Sequence, residues 1–262
     1  MNKRNVLYFR GQSAHYDRCL PVLFRDEWYL IGRRLALSAA NRGAYYALLR
    51  DLSLQVLEVA RRVGTPRTYI LEHVPAAAAS VLQHYELWPT HFIDLTRSLP
   101  TAVAFAEGDG SRERACLYVF SMPDLRGSIT SDLDQHLTLS RLEAVCPPDA
   151  KRPHHQDAYL VSRFPEPAGS ARPGDRTWDD WQGKTDLMRR IVAKFILRLQ
   201  GGMLLGAPRI ELSFLTPPLT EDKFGRILYE YLLPTVERHV ASIHRLTPAC
   251  SEQPASPPVA EA

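Results

Sequence analysis

Residues 82–106, LQHYELWPTHFIDLTRSLPTAVAFA, contain three local patterns in succession and decide how the chain is organised. The stretch opens on the end of a predicted helix, PAAAASVLQHY, which has Pro75 in its first turn. THFIDLT is a short run of β-branched and aromatic residues and predicts a strand. SLPTAVAFAEG has a proline in its first turn and Gly108 at its end, so it predicts a second helix. Asp94 lies inside the apolar strand and therefore needs a capping or ion-pairing role, or a functional one.

The composition is that of an ordinary soluble protein. The chain has 262 residues, of which 45% are hydrophobic and 23% charged, enough for one large domain or two small ones. The net charge of +3 and three arginine pairs, Arg33-Arg34, Arg61-Arg62 and Arg189-Arg190, are compatible with a nucleic-acid partner without requiring one. The four cysteines form no CxxC pair, and adjacent His154 and His155 diverge on the strand that the sequence suggests, so no metal is expected. No apolar run reaches the roughly 18 residues of a membrane span, which predicts a cytoplasmic protein without a membrane partner.

The remaining elements are predicted from local patterns. Residues 6–9 form an apolar strand ending at Arg10, and ACLYVFSM and DAYLVSRF are two further strands. The segment from Glu27 to about Val63 has a long helical pattern that Asn41 and Gly43 break into two helices.

The C-terminal part is expected to be mainly helical. TDLMRRIVAKFILRLQ has helical periodicity and stops at two glycines, RIELSFL could be a strand, and EDKFGRILYEYLLPTVERHVASIHRL is an amphipathic helix bent at Pro234. EPAGSARPGDRTWDDWQGK predicts a long surface loop or boundary, and the tail from Thr247 is predicted to be disordered.

Three segments in order, YFRGQ, LQHYELWPTHFIDLTRSLPTAVAFA and RPHHQDAYLV, resemble the FRG domain family over residues 6–165. The family pattern has an FRGQ strand, then LQHYG leading to PTRLLDWT and ALYFA, then an Arg and a Gln before a strand. The middle segment matches in register at Gln83, His84, Tyr85, Pro89, Thr90, Asp94, Thr96, Ala102, Phe105 and Ala106. Three positions depart from the pattern: Glu86 replaces its Gly, His91 its second Arg and Leu95 its Trp. If that Arg binds an anion, His91 changes the affinity or the ligand.

A more distant resemblance is to the ADP-ribosyltransferases. Their first strand bears an Arg-Gly pair, matched by Arg10 and Gly11, and DLTRSLPTAVAFA is similar to their STS strand and following helix. Gln156 stands where their catalytic Glu would lie, so Asp94 or another carboxylate would take that role. This resemblance implies an α+β fold with a small curved β core, a helical insertion near the N-terminus and C-terminal helices.

Together the resemblances imply three parts of the chain. Residues 1–165 form an FRG domain with the helical insertion at about 27–83, residues 166–246 a helical extension packed on the same domain, and residues 247–262 a disordered tail.

The function implied is an NAD-dependent ADP-ribosyltransferase, a bacterial toxin or phage-defence effector that modifies nucleic acid or protein and has a possible neutralising partner protein. NAD is the substrate. Arg10 would bind its pyrophosphate, because a guanidinium forks onto two phosphate oxygens. Gly11 would approach the nicotinamide amide, and a carboxylate would stabilise the ribosyl cation. The other expected roles are Thr96 at the ribose, Gln156 on the acceptor side, His84 and Tyr85 as pocket walls, and Gln12 and Thr90 in NAD binding.

Structural roles for the same residues stay open. Arg10 could pair with Asp17 or Asp94, Asp94 could cap the following helix, and Thr96 could be its N-cap. The same pocket could also belong to a non-catalytic module that binds a nucleotide or a nucleic-acid end, or to an NAD glycohydrolase. Convergence of Arg10, Thr96 and Gln156 in one cleft favours the enzyme, and a Gln156 that faces away favours the binding module.

Overall fold

The computed structural model describes residues 5–16, 18–25, 27–30, 33–36, 39–125, 127–132, 134–163, 187–206 and 208–246. Its main feature is a seven-stranded sheet in the order β6-β7-β8-β4-β1-β5-β9, in which every pairing is antiparallel. The strands are β1 (Asn5–Gln12), β4 (Ile93–Thr96), β5 (Arg114–Pro123), β6 (Ile129–Asp132), β7 (Leu137–Arg141), β8 (Ala158–Ser162) and β9 (Ile191–Arg198). A separate pair consists of β2 (Glu27–Leu30) and β3 (Arg33–Ala36). With the helices, the sheet confirms an α+β fold.

Seven helices accompany the sheet in the described part of the chain. They are α1 (Ala39–Arg62), α2 (Thr68–His73), α3 (Pro75–His84), α4 (Leu99–Glu107), α5 (Lys151–His155), α6 (Leu212–Leu215) and α7 (Lys223–Leu246). Short 3₁₀ turns lie at Val22–Phe24, Leu142–Ala144 and Met188–Arg190. None of the described helices is long and apolar enough to cross a membrane.

Two apolar cores lie on the two faces of the sheet. Alternate residues of β8 divide between them: Leu160 joins the core under the helices, and Tyr159 and Val161 join the core on the other face. This division follows from the two-residue side-chain period of a strand. The helical core is built from the apolar stripes of α1, α3 and α7, whose members Leu52, Leu82 and Leu232 are fully buried.

Several predicted elements are confirmed because their signals are local. Pro75 is the first residue of α3, where its missing N–H costs no hydrogen bond. Ser98 caps α4 by accepting a hydrogen bond from the Thr101 N–H, and Gly108 follows its last turn. The long C-terminal helix is also present, and it continues through Pro234.

Glu27 to Ala36 is wrongly predicted as helix. The described residues of this span form β2 and β3, which pair from Glu27 with Ala36 to Leu30 with Arg33, three positions apart in sequence. The predicted break at Asn41 and Gly43 is also wrong, since both lie inside α1. The aromatic and apolar sequence EWYL has strand propensity, and this short-range pairing overrides the helical spacing.

Two C-terminal elements are likewise corrected. Ile191–Arg198, predicted as helix, is β9, which pairs with β5 from Arg114 with Arg198 onward. Its IVAKFIL run is rich in β-branched and aromatic residues, and β5 offers it an unpaired edge. Conversely, the strand predicted in RIELSFL is the short helix α6. The predicted loop at 164–186 and the predicted tail from 247 lie outside the described residues.

Gly11 allows α4 to pack directly against β1. A Cβ atom at Gly11 would overlap the main-chain oxygen of Ala102 and come too close to the main-chain nitrogen of Ala106. Only glycine leaves room for this contact, which fixes α4 beside the point where β1 meets β4. The smallness of Gly11 is therefore used by the fold itself.

Candidate functional site around Asp94

The site begins where β1 and β4 part. In the described residues these strands have one registered pair, Phe9 with Thr96, and we call the region beyond it, between Arg10 and Asp94, the wedge. In this wedge Nη1 of Arg10 donates a 2.6 Å hydrogen bond to the main-chain oxygen of Asp94. Side-chain alternation from the paired residues places Arg10 on one face of the sheet and the Asp94 carboxylate on the other.

The carboxylate of Asp94 is held from the side of α3. Its Oδ1 lies 3.1 Å from Nδ1 of His84, and its Oδ2 accepts a 3.4 Å hydrogen bond from the Gln83 amide. His84 is only 2% exposed, whereas the Asp94 side chain retains 36% of its surface. The carboxylate is thus fixed by buried partners and remains open to a ligand.

Thr90 fixes the orientation of the Gln83 side chain. Its hydroxyl donates a 2.8 Å hydrogen bond to Oε1 of Gln83 and accepts one of 3.1 Å from the N–H of Phe92. Because Oε1 of Gln83 is an acceptor here, its amide nitrogen must face Asp94. Thr90 is fully buried, so it positions Gln83 and does not itself meet solvent.

The charges at the site are set by burial and by neighbouring arginines. Burial raises the pKa of Asp94, but the His84 hydrogen bond and the charges of His84, Arg10 and Arg152 outweigh it and leave the pKa lowered. Burial also lowers the pKa of His84, in spite of its hydrogen bond to Asp94. At neutral pH the pair is therefore an ionised carboxylate and a neutral imidazole whose Nδ1–H donates.

Two nitrogen atoms beside Asp94 have hydrogen-bonding capacity that no described residue fills. Within the described part of the chain, Nε of Arg10 and Nε2 of His84 are buried and have no hydrogen-bond partner. Buried polar groups are normally satisfied, so such atoms need an explanation. Both belong to the side chains that directly contact Asp94.

Two more arginines lie within electrostatic reach. Burial, followed by the charge of Arg10, lowers the pKa of Arg25 to about 10, and Asp94 acts on it in the opposite direction. On the other side, Nη2 of Arg152 donates a 2.6 Å hydrogen bond to Oε1 of Glu86. The carboxylate of Asp94 is therefore within electrostatic reach of three guanidinium groups.

A second carboxylate, Asp222, forms what we call the Asp222 clamp. Its Oδ2 accepts from the Tyr85 hydroxyl at 3.0 Å and from the Arg152 main-chain N–H at 2.9 Å, and its Oδ1 accepts from the Gly225 N–H at 2.8 Å. Asp222 is 1% exposed and caps the start of α7. Tyr229 completes the connection by donating to the main-chain oxygen of Tyr85 at 2.6 Å. The clamp ties α3, α5 and α7 together beside the Asp94 site.

Thr96 and Gln156 are joined to each other through the main chain of Gln156. The Thr96 hydroxyl donates a 2.8 Å hydrogen bond to the main-chain oxygen of Gln156 and accepts one from the Ser98 N–H at 3.0 Å. The Gln156 side chain turns to α6, where its amide donates to the Leu215 oxygen at 2.8 Å. The two residues therefore hold β4, α5 and α6 together, and the Gln156 amide donates to α6.

The other predicted site residues have the following positions. Tyr85 is 1% exposed, with its hydroxyl on Asp222 and its ring edge-on to Phe224. Gln12 ends β1, paired with Cys116 and half-buried, and Gly11 faces α4. Of the predicted residues, the structure gathers Arg10, His84, Thr90 and Asp94, together with Gln83, to which no role was assigned, and leaves Tyr85, Thr96 and Gln156 in the supporting structure. The alternative partner Asp17 lies outside the described residues.

His91 does not supply the positive charge of the arginine that stands at this position in the FRG pattern. It is 6% exposed, packs against Phe92 and Tyr46, and burial lowers its pKa to about 4. A histidine with that pKa is neutral at pH 7. The cations near Asp94 come instead from Arg10, Arg25 and Arg152.

Sequence reasoning did not assign site roles to Arg25, Arg152 or Asp222. Arg152 stands in the RPHHQD segment that resembles the family, so a signal existed, but its link to Glu86 joins residues 66 positions apart. Asp222 and Tyr85 are 137 positions apart. Pairings of this range leave no mark in local sequence patterns.

No family model matches the chain, and comparisons with curated proteins and with solved structures give no match. Among the described residues, no group of three or more His, Cys, Asp or Glu side chains is placed to hold a metal ion.

Proposed function

We propose that this chain is an FRG-type, NAD-dependent ADP-ribosyltransferase that binds NAD across the wedge between β1 and β4. The observation that carries the proposal is Asp94: an ionised, partly exposed carboxylate, held by His84 and Gln83 and adjacent to Arg10. Loss of nicotinamide from NAD leaves an oxocarbenium-like ribosyl cation, which a fixed carboxylate stabilises. Asp94 can supply this charge, and Gln156 cannot.

The arginines near Asp94 favour the binding of an anionic ligand. Arg10 has one Nη in use on the Asp94 carbonyl and a buried Nε without a described partner. A guanidinium can donate two parallel hydrogen bonds to phosphate oxygens, which suits the pyrophosphate of NAD. Nicotinamide would leave as the C–N glycosidic bond breaks, and an acceptor nucleophile of a protein or nucleic acid would form the new bond to the ribose carbon. A bacterial toxin or phage-defence role, with a neutralising partner, belongs to the same proposal.

The test follows nicotinamide release and label transfer from NAD labelled in its adenylate half, with protein and nucleic acid present as acceptors. Asp94→Asn should reduce nicotinamide release about 100-fold or more, the loss usual for a preorganised electrostatic group. Asp51→Asn is the matched control, because Asp51 also lies 3.1 Å from a histidine, His239, but on the exposed side of α1. Equal release by the wild type and Asp94→Asn would refute the catalytic role of Asp94.

A second function is favoured by one specific observation. The Gln156 amide donates a hydrogen bond to the Leu215 oxygen, so at the position that resembles the catalytic Glu the side chain is engaged by α6. A module that binds nucleotides without turnover would keep Arg10 and need no such Glu. NAD binding by calorimetry that depends on Arg10, together with no nicotinamide release, would establish this binding function, whereas release without label transfer would indicate a glycohydrolase.

A further inference from the structure

The pair Glu86–Arg152 is a second feature of the site that the proposed chemistry does not use. Glu86 is exposed over 63% of its side chain, and Arg152 over 21%. The pair therefore lies where the buried network meets solvent. Within the described part of the chain, Nε of Arg152 is buried without a hydrogen-bond partner, so Glu86 satisfies this guanidinium only in part.

The backbone at Glu86 shows that its place is unusual for this residue type. Glu86 has φ of 56°, directly after α3. The Leu87 N–H bonds to the Leu82 oxygen and the Glu86 N–H to the Gln83 oxygen, which is the Schellman pattern that normally places glycine here. A non-glycine residue is disfavoured in this conformation. Glutamate at this position nevertheless provides a side chain, absent from glycine, that contacts Arg152.

The backbone of Arg152 is held in place, and its charge acts on the Asp94 site. Its main-chain N–H is bound by the Asp222 clamp, so its backbone position does not depend on Glu86. Its charge acts on both His84 and Asp94. Removing the Glu86 contact would thus expose a positioned cation beside the wedge.

We propose that Glu86 is an internal competitor for Arg152, which a phosphate group of the nucleotide displaces in order to bind this arginine. The proposal rests on the proposed function for the identity of the ligand, a pyrophosphate-containing nucleotide. The charges of Arg10 and Arg152 both act on Asp94, and Glu86 is the carboxylate that accepts the hydrogen bond of the Arg152 guanidinium. When Glu86 swings out, this guanidinium can donate to phosphate oxygens instead. The exposed Glu86 is free to move into solvent, and the clamped Arg152 stays.

The test measures binding of inorganic pyrophosphate and of ADP by calorimetry to the full chain. Glu86→Gln should tighten both dissociation constants about fivefold, the equivalent of one exposed ion pair. Arg152→Gln should weaken them about tenfold and abolish the effect of Glu86→Gln in the double variant. Glu58→Gln is the matched control, because Glu58 makes a comparable exposed pair with Arg62, at 3.0 Å on α1, and should change neither constant.

Opposite results would overturn the proposal. Unchanged or weaker binding in Glu86→Gln, or no binding of either probe to any variant, would refute it, provided that thermal melts show each variant folded. NAD turnover in the same variants separates the two proposals. Tighter pyrophosphate binding in Glu86→Gln with no nicotinamide release by the wild type refutes the transferase alone. Asp94-dependent release with no effect of Glu86 refutes the competitor alone.

Discussion

Two aspartates of this molecule, Asp94 and Asp222, lie close to the same helix end and are treated by the fold in opposite ways. Asp222 is 1% exposed and accepts three hydrogen bonds, two of them from main-chain N–H groups. Asp94 keeps 36% of its side chain exposed and is held by side chains, one of them a histidine with an unfilled Nε2. A saturated carboxylate stabilises the fold, and an unsaturated one, held in place at a surface, is available for a ligand.

The largest expected effect is on the Asp222 clamp. Asp222→Ala should lower the free energy of unfolding by about 4 kcal/mol, because it leaves buried donors unsatisfied and removes the cap of α7. Urea unfolding measures this loss. Asp149→Ala, which removes an exposed partner of Lys223, should cost less than about 1 kcal/mol. Similar losses in both variants would show that Asp222 stabilises the fold no more than an exposed aspartate does. The contrast drawn between Asp222 and Asp94 would then fail.

The next effect concerns Gln156 and sharpens the assignment of the carboxylate role to Asp94. Gln156→Glu should lower the free energy of unfolding by about 3 kcal/mol, since a buried carboxylate would then face the Leu215 oxygen that now accepts a hydrogen bond. Nicotinamide release should not rise. A stable variant with faster release would show that Gln156, rather than Asp94, occupies the position of the catalytic acid.

The next prediction concerns stability in mild acid, to which buried His91 should contribute. The folded-state pKa of about 4 lies below the unfolded value, so the folded state resists protonation and stability falls as pH drops below about 6.5. At pH 5 this loss is about 2 kcal/mol. His91→Leu should therefore show about that much less destabilisation between pH 7 and pH 5 in urea unfolding. An unchanged pH profile would place the acid-sensitive group elsewhere.

The smallest effect on stability is expected at Asp94. Asp94→Asn should change the free energy of unfolding at pH 7 by less than about 1 kcal/mol, because the amide can still accept the His84 hydrogen bond. The folded-state pKa of Asp94 is lowered, so its stabilising contribution is complete above about pH 4 and is lost as pH falls through that lowered pKa. The variant should lack this final loss. A large loss of stability at pH 7 would make Asp94 a structural residue like Asp222.

The parts predicted correctly from the sequence are those with local chemistry. Pro75 and Gly108 mark helix ends through their own backbone preferences, and the apolar runs around Phe9 and Val119 identify β1 and β5. The N-cap of α4 is Ser98, so the N-cap role suggested for Thr96 is wrong. β9 was missed because its strand state depends on β5, about 80 residues earlier. The site divides in the same way: Asp94 stands out as a charge in an apolar strand, whereas the charges that surround it come from distant segments.

The order of strands in the sheet also has a consequence for how the chain acquires its structure during synthesis. β1 is made before its neighbours β4 and β5, which come from residues 93–96 and 114–123. The other edge of β5 stays unpaired until β9 has been made. α1 packs against α7, whose last residue is Leu246. Such distant contacts give the fold a high contact order, which slows folding. The apolar stripe of α1 therefore leaves the ribosome long before its partner, and the nascent chain needs protection from aggregation until its C-terminal helix is complete.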